Sequence, residues 1–324
     1  MKLDLKDRKI LYELDLNSKQ SFNELAKKVG LSKDSIIYRI NNLQKEGIIK
    51  QFHTVIDANK LGLISFRIYL KFQNTTPKKE EEIIEYLKKQ NNIVWLVSIE
   101  GEYDLGMWVL AKNIKEANKL WKDIFKKYRN NIENKLFTIF TKVSYFTRAY
   151  ILEKEQNENE FVFISDSKET KIDEKDLEII KLLAENSRIP IFKIAEKTKL
   201  TPKTITSRIK NLEESNIIVG YRTLSDLEKL GYQYFKVHFN LHNLTQEKEN
   251  QLRQFIKQDP NIIYDNEVLG GDDIEIDVQV KSLLELKALI SEIKKQFSEI
   301  IKNYNYNLFY KEHKYIFFPT GKDD

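Results

Sequence analysis

The chain has no cysteine among its 324 residues. That absence excludes a disulfide framework, a thiolate metal site and a cysteine nucleophile. Histidine is scarce as well: there are four, His53, His238, His242 and His313. Only His238 and His242 are close in sequence, and on a strand they would share a face, so a metal or a base there is a minor alternative to ordinary packing. We therefore expect no cofactor, no metal, no catalytic residue and no enzymatic activity.

Long apolar runs are missing too. No stretch reaches the roughly 18 uninterrupted apolar residues that a membrane span needs, and Met1 leads into a charged segment instead of an apolar signal core. The formal net charge is only +5 although 32% of the residues are charged, so composition permits nucleic-acid binding without requiring it. We expect an untargeted cytoplasmic protein with no membrane partner.

What the chain does contain is an internal duplication, with a constant shift of 169 positions, as from Asp4 to Asp173. The match holds without insertion over most of each half, which indicates a repeated unit larger than a solenoid repeat. The repeated positions of the first half are Asp7, Ile36, Arg39, Ile40, Leu43, Ile48, Leu61, Gly62, Gly101 and Asp104, and they recur as Asp176, Ile205, Arg208, Ile209, Leu212, Ile217, Leu230, Gly231, Gly270 and Asp273.

Each unit begins with three short segments in which apolar residues recur every three or four positions, and this spacing predicts three short helices. The third helix follows an N-cap residue, Ser32 in the first copy and Thr201 in the second, and Pro202 suits a first helical turn. The β-branched runs at Ile48 and Ile217 suggest a short hairpin, which would complete a winged helix-turn-helix. The region after it alternates in the order βαββαβ of a ferredoxin-like domain.

The predicted fold class is therefore α+β, with two tandem units that each join a winged helix-turn-helix to a ferredoxin-like domain. The polar segment Glu153–Glu160 indicates a linker between the units. The apolar residues Phe161–Ile164, which follow it, are able to dock as an extra strand. The predicted boundaries are 1–62 for the first winged helix, 63–150 for the first ferredoxin-like effector and assembly domain, 151–171 for the linker, 172–231 for the second winged helix, and 232–324 for the second ferredoxin-like domain with a C-terminal tail.

The third helix of such a fold normally enters the major groove of duplex DNA. A lone polar helix face is usually just solvated, but the combination of helix, wing and duplication favours DNA contact. The candidate residues are Lys33, Ser35, Tyr38, Arg39, Asn42 and Lys45 in the first copy, and Lys203, Thr204, Thr206, Ser207, Arg208 and Lys210 in the second. Residues 1–60 carry twelve basic and eight acidic side chains, and residues 173–229 carry eleven and ten, so the two heads should differ in phosphate affinity. The second head is expected either to bind phosphates more weakly or to serve mainly to orient the protein.

The chain resembles the Lrp/AsnC (feast/famine) transcriptional regulators. The resemblance rests on Leu5–Leu11, on Glu24-Leu25-Ala26 before Val29–Ser32, on Arg39–Leu43 before Gly47-Ile48-Ile49, and on Lys60-Leu61-Gly62, with matching segments in the second copy such as Arg208–Leu212 and Lys229-Leu230-Gly231. It implies a sequence-specific regulator of double-stranded DNA, modulated by an amino acid or another small effector. Two units in one chain depart from the family pattern of homodimers and larger rings.

That family carries a Gly-x-x-Asp turn near its amino-acid site, and the matching positions here are Gly101, Tyr103 and Asp104, and Gly270, Asp272 and Asp273. Glycine and aspartate also suit any hairpin, so effector binding at these turns is the less favoured of two readings. Two other functions stay open. One is a tetrapyrrole-modifying enzyme similar to decarboxylases of this architecture, and the other is a ligand sensor that does not bind DNA.

The two sheets differ in a way that bears on assembly. The strand after Asp104 is apolar on both faces, whereas its counterpart places Glu275 and Asp277 on one face, opposite Lys236 and His238 of the neighbouring strand. We expect those charges to pair across strands. We also expect the two effector domains to pack sheet to sheet as an intramolecular pseudo-dimer, with higher homo-oligomers as a further option.

Overall fold

The computed structural model describes residues 3–156, 160–165 and 167–319. Positions 157–159 and 166 of the predicted linker and 320–324 of the predicted tail lie outside the described residues. Within the described ranges, no helix combines the length and the apolar character that a bilayer span requires.

The first unit has the predicted order of three helices followed by βαββαβ. Its elements are α1 (Leu5–Leu16), α2 (Phe22–Val29), α3 (Lys33–Lys45), β1 (Ile49–Ile56), β2 (Ile64–Phe72), α4 (Pro77–Lys88), β3 (Ile93–Glu100), β4 (Leu105–Ala111), α5 (Ile114–Tyr128) and β5 (Ile132–Tyr145). The Ser32 side chain accepts a hydrogen bond from the Ser35 amide and so caps α3 as predicted. The stripe of Ile36, Ile40 and Leu43 is at most 3% exposed.

The second unit repeats this order after one extra strand. Its elements are β6 (Phe161–Ile164), α6 (Glu174–Glu185), α7 (Ile191–Thr198), α8 (Pro202–Glu214), β7 (Ile218–Ser225), α9 (Leu227–Leu230), β8 (Gln233–Leu241), α10 (Gln246–Gln258), β9 (Ile262–Leu269), β10 (Ile274–Val280), α11 (Leu283–Gln296) and β11 (Ile301–Tyr315). Thr201 caps α8 through the Thr204 amide, and Pro202 occupies its first turn, both as predicted.

The predicted wing hairpin is wrong. Each unit supplies a single strand, and β1 pairs antiparallel with β7 of the other unit, from Ile49 opposite Ser225 to Ile56 opposite Ile218. Neither strand turns back on itself, because its backbone donors and acceptors are satisfied by the other copy. The two helix-turn-helix heads are therefore joined by one shared two-stranded ribbon.

The extra strand foreseen at Phe161–Ile164 does dock. It pairs antiparallel with the end of β5, with Phe161 opposite Tyr145. The Phe161 ring lies against the backbone of Gly220 in β7, so closely that a β-carbon at that position would clash with it. Gly220 thus lets the segment between the units pack against the ribbon.

The two ferredoxin-like sheets close into one barrel. Strands run in the ring β2-β4-β3-β11-β8-β10-β9-β5, and β5 returns to β2, with β6 attached outside the ring. The long strands β5 and β11 each divide their pairing between the two units: β5 pairs with β2 and then β9, and β11 with β8 and then β3. The two units are thereby joined edge to edge within one chain, whereas the prediction was of packing sheet to sheet, and the ring of eight strands has no free edge.

The helices cover the outside of the barrel. Alternate residues of β2, such as Ile68 and Leu70, pack with α4 and α5, and Val237 and Phe239 of β8 pack in the corresponding core beneath α10 and α11. The other faces of these strands point inward, where the rings of Tyr69 and His238 approach to 6.1 Å between centroids. Side chains of both units therefore meet inside the barrel.

Candidate functional site

The unpacked flank of α3 is open to solvent. Tyr38 is 72% exposed, and Lys33 and Lys45 are exposed at the two ends of the helix. Ser35 and Asn42 are half-buried, and the Ser35 hydroxyl accepts a hydrogen bond from Ser32. The first copy thus keeps two ammonium groups and a phenol on the face that was predicted to meet DNA.

The flank of α8 is exposed as well, but more of its polar groups are engaged within the protein. The Thr206 hydroxyl donates to the carbonyl of Pro202 at 3.0 Å, and Thr204 bonds to Thr201 at 2.9 Å. Lys210 lies 3.3 Å from Glu214, while Lys203 and Ser207 are exposed. The second copy therefore presents a less positive surface, in line with its smaller charge excess.

Arg39 and Arg208 each form ion pairs within their own head. Arg39 Nη1 lies 2.9 Å from Asp4 and 2.7 Å from Asp7, so the arginine ties α3 to the start of α1. Hydrogen bonds to Asp7 and Asp4 raise the pKa of the Arg39 guanidinium. Arg208 makes the same contacts, 2.8 Å each, to Asp173 and Asp176.

The Nη1 atom of each arginine thus ties the recognition helix to the start of the unit's first helix, while the side chains stay 28% and 27% exposed. Their contact with base edges stays a prediction. The signal for these ion pairs was present in the chain, since each arginine recurs together with both of its aspartates at the same shift.

The first Gly-x-x-Asp turn uses its polar groups internally. Asp104 accepts hydrogen bonds from the Phe72 amide at 2.6 Å and from Lys71 Nζ at 2.9 Å. Tyr103 is buried and stacks on Tyr69, and burial followed by the nearby Glu102 charge raises its pKa to about 12. At Gly101 a side chain would collide with Asn307. These residues hold the barrel rim together.

The second turn behaves similarly. Asp273 accepts from the Leu241 amide at 2.6 Å, the exact counterpart in sequence of Phe72, and Gly270 adopts a φ of +90°. Asp272 Oδ2 lies 3.0 Å from His238 Nδ1, and the hydrogen bond from His238 lowers the pKa of Asp272.

Three side chains near this turn are arranged as the ligands of a metal ion would be. The ligand atoms of His238, Asp272 and Glu275 lie within 4.8 Å of one another. Lys236 Nζ, however, is 2.9 Å from Glu275 Oε2, so an ammonium group already neutralises the carboxylate that a cation would need. The predicted cross-strand pairing is thereby confirmed, and an internal ion pair accounts for the cluster.

A buried ionic cluster beneath the heads was not anticipated from the sequence. Asp15, at the end of α1, lies 2.7 Å from Arg148 Nη1 and 2.9 Å from Arg222 Nη1, and all three side chains are at most 7% exposed. Burial alone would raise the pKa of Asp15, but the charges of Arg222 and Arg148 lower it overall. The cluster connects the first head to the ribbon strand of the second unit.

Comparisons with known proteins agree with this architecture. A winged helix-turn-helix DNA-binding family matches the chain twice, at residues 3–50 and 172–219. The HTH-type transcriptional regulator Ptr1 of Methanocaldococcus jannaschii is 34% identical over 120 residues, which cover 36% of this chain and 78% of that protein.

Two solved structures extend the comparison. B. subtilis LrpC covers 44% of this chain and 96% of its own, at 25% identity and a TM-score of 0.37. The siroheme decarboxylase NirDL covers 97% of this chain and 94% of its own, with a TM-score of 0.64 and 14% identity, which shows a shared fold. The chain carries two winged helix-turn-helix DNA-binding units, and it belongs to the family of HTH-type transcriptional regulators that includes Ptr1.

Proposed function

We propose that this protein binds duplex DNA sequence-specifically through both recognition helices, α3 and α8, and regulates transcription in the cytoplasm. The observation that carries the proposal is that both capped helices keep their polar flank exposed while their apolar stripe is buried. The shared ribbon of β1 and β7 links the two heads, so they would meet one duplex together.

The two heads differ, so we propose an asymmetric operator with half-sites about one helical turn, or a multiple, apart. Lys33, Tyr38, Asn42 and Lys45 would provide the main contacts of the first head. Lys203, Ser207 and Lys210 would serve the second head mainly by approaching phosphates. The first head would then dominate affinity, and the second would set orientation.

Salt dependence tests this division. Lys33→Ala with Lys45→Ala should lower the slope of log affinity against log salt by up to about 2, since each phosphate contact contributes about 0.9. Lys203→Ala with Lys210→Ala should lower it less. Lys115→Ala with Lys119→Ala removes two exposed charges from α5 and should leave the slope unchanged. Unchanged slopes in both head variants would contradict the proposal.

Effector control is a second part of the proposal. A small molecule such as an amino acid would shift the arrangement of the heads by binding one arrangement better than another. The family resemblance points to the turns at Gly101 and Gly270, although Asp104 and Asp273 already accept backbone hydrogen bonds there. Footprinting with and without an amino-acid pool would show whether the protected sequence or its occupancy changes.

The likeness to NirDL favours one alternative function, an enzyme acting on a tetrapyrrole, because the fold matches over nearly the whole chain. A fold alone does not define a reaction, and the family relationship supports regulation more directly. Titration with sirohaem followed by absorbance distinguishes the two: a saturable spectral change with product formation would replace the regulator proposal, and no change would support it.

A further inference from the structure

The two units place a buried cation at equivalent positions of the barrel, but its surroundings differ. Lys236 of β8 is fully buried, and its Nζ lies 2.9 Å from Glu275 and 2.8 Å from Asp277 of β10. The equivalent cation in the first unit is Arg67 of β2, which stands opposite Trp108 of β4. Where the second unit has Glu275, the first has Gly106. The arginine therefore has no cross-strand carboxylate.

Arg67 is left with unused donors. Its side chain belongs to a residue only 7% exposed, and neither Nε nor Nη1 has a hydrogen-bond acceptor among the described residues. The guanidinium lies over the rings of Trp95, 4.4 Å from the centroid, and Phe140, at 5.1 Å. Aromatic contacts stabilise the charge partly but leave these N–H groups unsatisfied, which is unfavourable in a buried site.

These donors border a cavity. Arg67, Trp95 and Trp108 line a space of about 70 Å³ that extends from the barrel to the ribbon at Ile56 and to β6 at Phe163. Since one water needs about 10–15 Å³ of such space, the cavity holds roughly five to seven water-sized groups. Trp108 Nε1, a second donor on this wall, also has no acceptor among the described residues.

Unsatisfied donors outnumber unsatisfied acceptors in this cavity. Asn59 Oδ1 is a buried acceptor without a donor among the described residues, against the three donor atoms of Arg67 and Trp108. The carboxylate of the lining is already used. Asp277 Oδ1 accepts from Lys236 at 2.8 Å and from Asn266 at 3.0 Å, and its Oδ2 accepts from Tyr234 at 2.6 Å. The unmet requirement is therefore for acceptor oxygens, next to aromatic walls that favour an apolar body. A cation is disfavoured by the guanidinium itself.

We propose that this cavity binds a small organic carboxylate of about four to six heavy atoms, a size that follows from the space available. The carboxylate would accept hydrogen bonds from Arg67 and Trp108, and its alkyl part would pack against Trp95 and Phe140. This site lies inside one chain and is separate from the turns at Gly101 and Gly270. It does not depend on DNA binding, and it is tested without DNA.

Propionate is the probe, and its binding is measured by calorimetry and by tryptophan fluorescence, because two of the three tryptophans line the cavity. We expect saturable binding of propionate and none of propionamide, its neutral isostere. Arg67→Met should weaken binding about ten- to hundredfold, as expected for a lost hydrogen bond to a charged group. Its folding is checked by circular dichroism, because the Arg67 charge also contributes to lowering the pKa of Asp277.

Two further variants keep the test decisive. Lys71→Met removes a charge from the same strand, at a half-exposed pair with Asp104, and should bind propionate like the unmodified protein. Trp108→Phe removes one donor and should weaken binding severalfold, which tests the site even if the Arg67 variant fails to fold. Equal binding by Arg67→Met, equal binding of propionamide, equal competition by chloride or phosphate, or no saturable signal would each overturn the proposal.

Discussion

The two units of this chain share the same order of helices and strands, but they differ in which buried positions carry charged side chains. Beneath the heads, the first side holds Asp15 between Arg148 and Arg222. The positions related to these by the repeat shift are Ala184, Phe317 and His53. Here His53 stacks on Phe317, with ring centroids 5.1 Å apart and planes 11° apart. One side of the pseudo-twofold axis is ionic and the other is aromatic.

The barrel interior shows the same kind of difference, but here the second unit is ionic and the first is aromatic. The second unit neutralises Lys236 with two carboxylates, whereas the first leaves Arg67 among aromatic rings. A symmetric homodimer must place identical residues at both related positions. Joining both copies in one chain removes that constraint, so each buried cation and its partners vary independently.

The largest expected effect comes from Lys236→Met. It leaves Glu275 and Asp277 buried without their cation, which should cost about 3–5 kcal/mol of unfolding free energy. Denaturant unfolding at neutral pH measures this change. Lys71→Met, which breaks a half-exposed pair, should cost less than about 1 kcal/mol. If Lys236→Met is as stable as Lys71→Met, then Lys236 does not neutralise Glu275 and Asp277 in the folded protein as described.

A smaller loss is expected from Asp15→Asn. The amide keeps one acceptor but no charge, so Arg148 and Arg222 stay buried without their carboxylate, at a cost of about 3 kcal/mol, the low end for a broken buried pair because one acceptor remains. Thermal unfolding followed by circular dichroism provides the measurement. The exposed carboxylate of Glu82, paired with Lys79, supplies the control Glu82→Gln, for which little change is expected. A control loss as large as that of Asp15→Asn would argue against the cluster.

The smallest effect concerns pH and the aromatic side. Burial, with a smaller contribution from the Arg148 charge, lowers the pKa of His53 to about 3. Neutral His53 therefore stabilises the fold above pH about 6.5, and this contribution is lost as pH falls toward 3, because only the unfolded chain takes up the proton. His313, whose pKa burial lowers to about 4, acts in the same direction.

Between pH 7 and pH 5, the free energy of unfolding should fall by about 2 kcal/mol less in His53→Phe than in the unmodified protein. Each pH unit below the pKa of the unfolded histidine contributes about 1.4 kcal/mol per proton, and the variant lacks that proton. Unfolding curves at the two pH values measure the difference. His242 is exposed, and His242→Gln should leave the pH dependence as it was. An unchanged slope in His53→Phe would mean that this histidine is protonated in the folded protein.

Much of the architecture was predictable from local signals. The capped helices, the buried stripes and the βαββαβ order follow from periodicity and N-cap chemistry, and they agree with the structure. The neutralisation of Glu275 and Asp277 by Lys236 was also predictable, because cross-strand neighbours in a known strand order are defined.

Other features were not accessible in this way. The ion pairs of Arg39 and Arg208 were not predicted, because an arginine on a polar helix face suits both DNA and a neighbouring carboxylate. The hairpin was wrong because a β-branched run shows that a strand forms but not which strand it joins. Asp15, Arg148 and Arg222 lie up to 207 positions apart, and no local pattern connects them.

The amino-acid sequence by itself determined the duplication, the element types and the apolar faces, since these depend on hydrogen bonds and packing between residues close in the chain. Only the tertiary structure decided that the ribbon and the barrel are each shared between the copies. It also decided that Arg67 faces a cavity while Lys236 is neutralised. Strand partners and buried charge pairs depend on contacts between distant segments, which no local pattern of residues fixes.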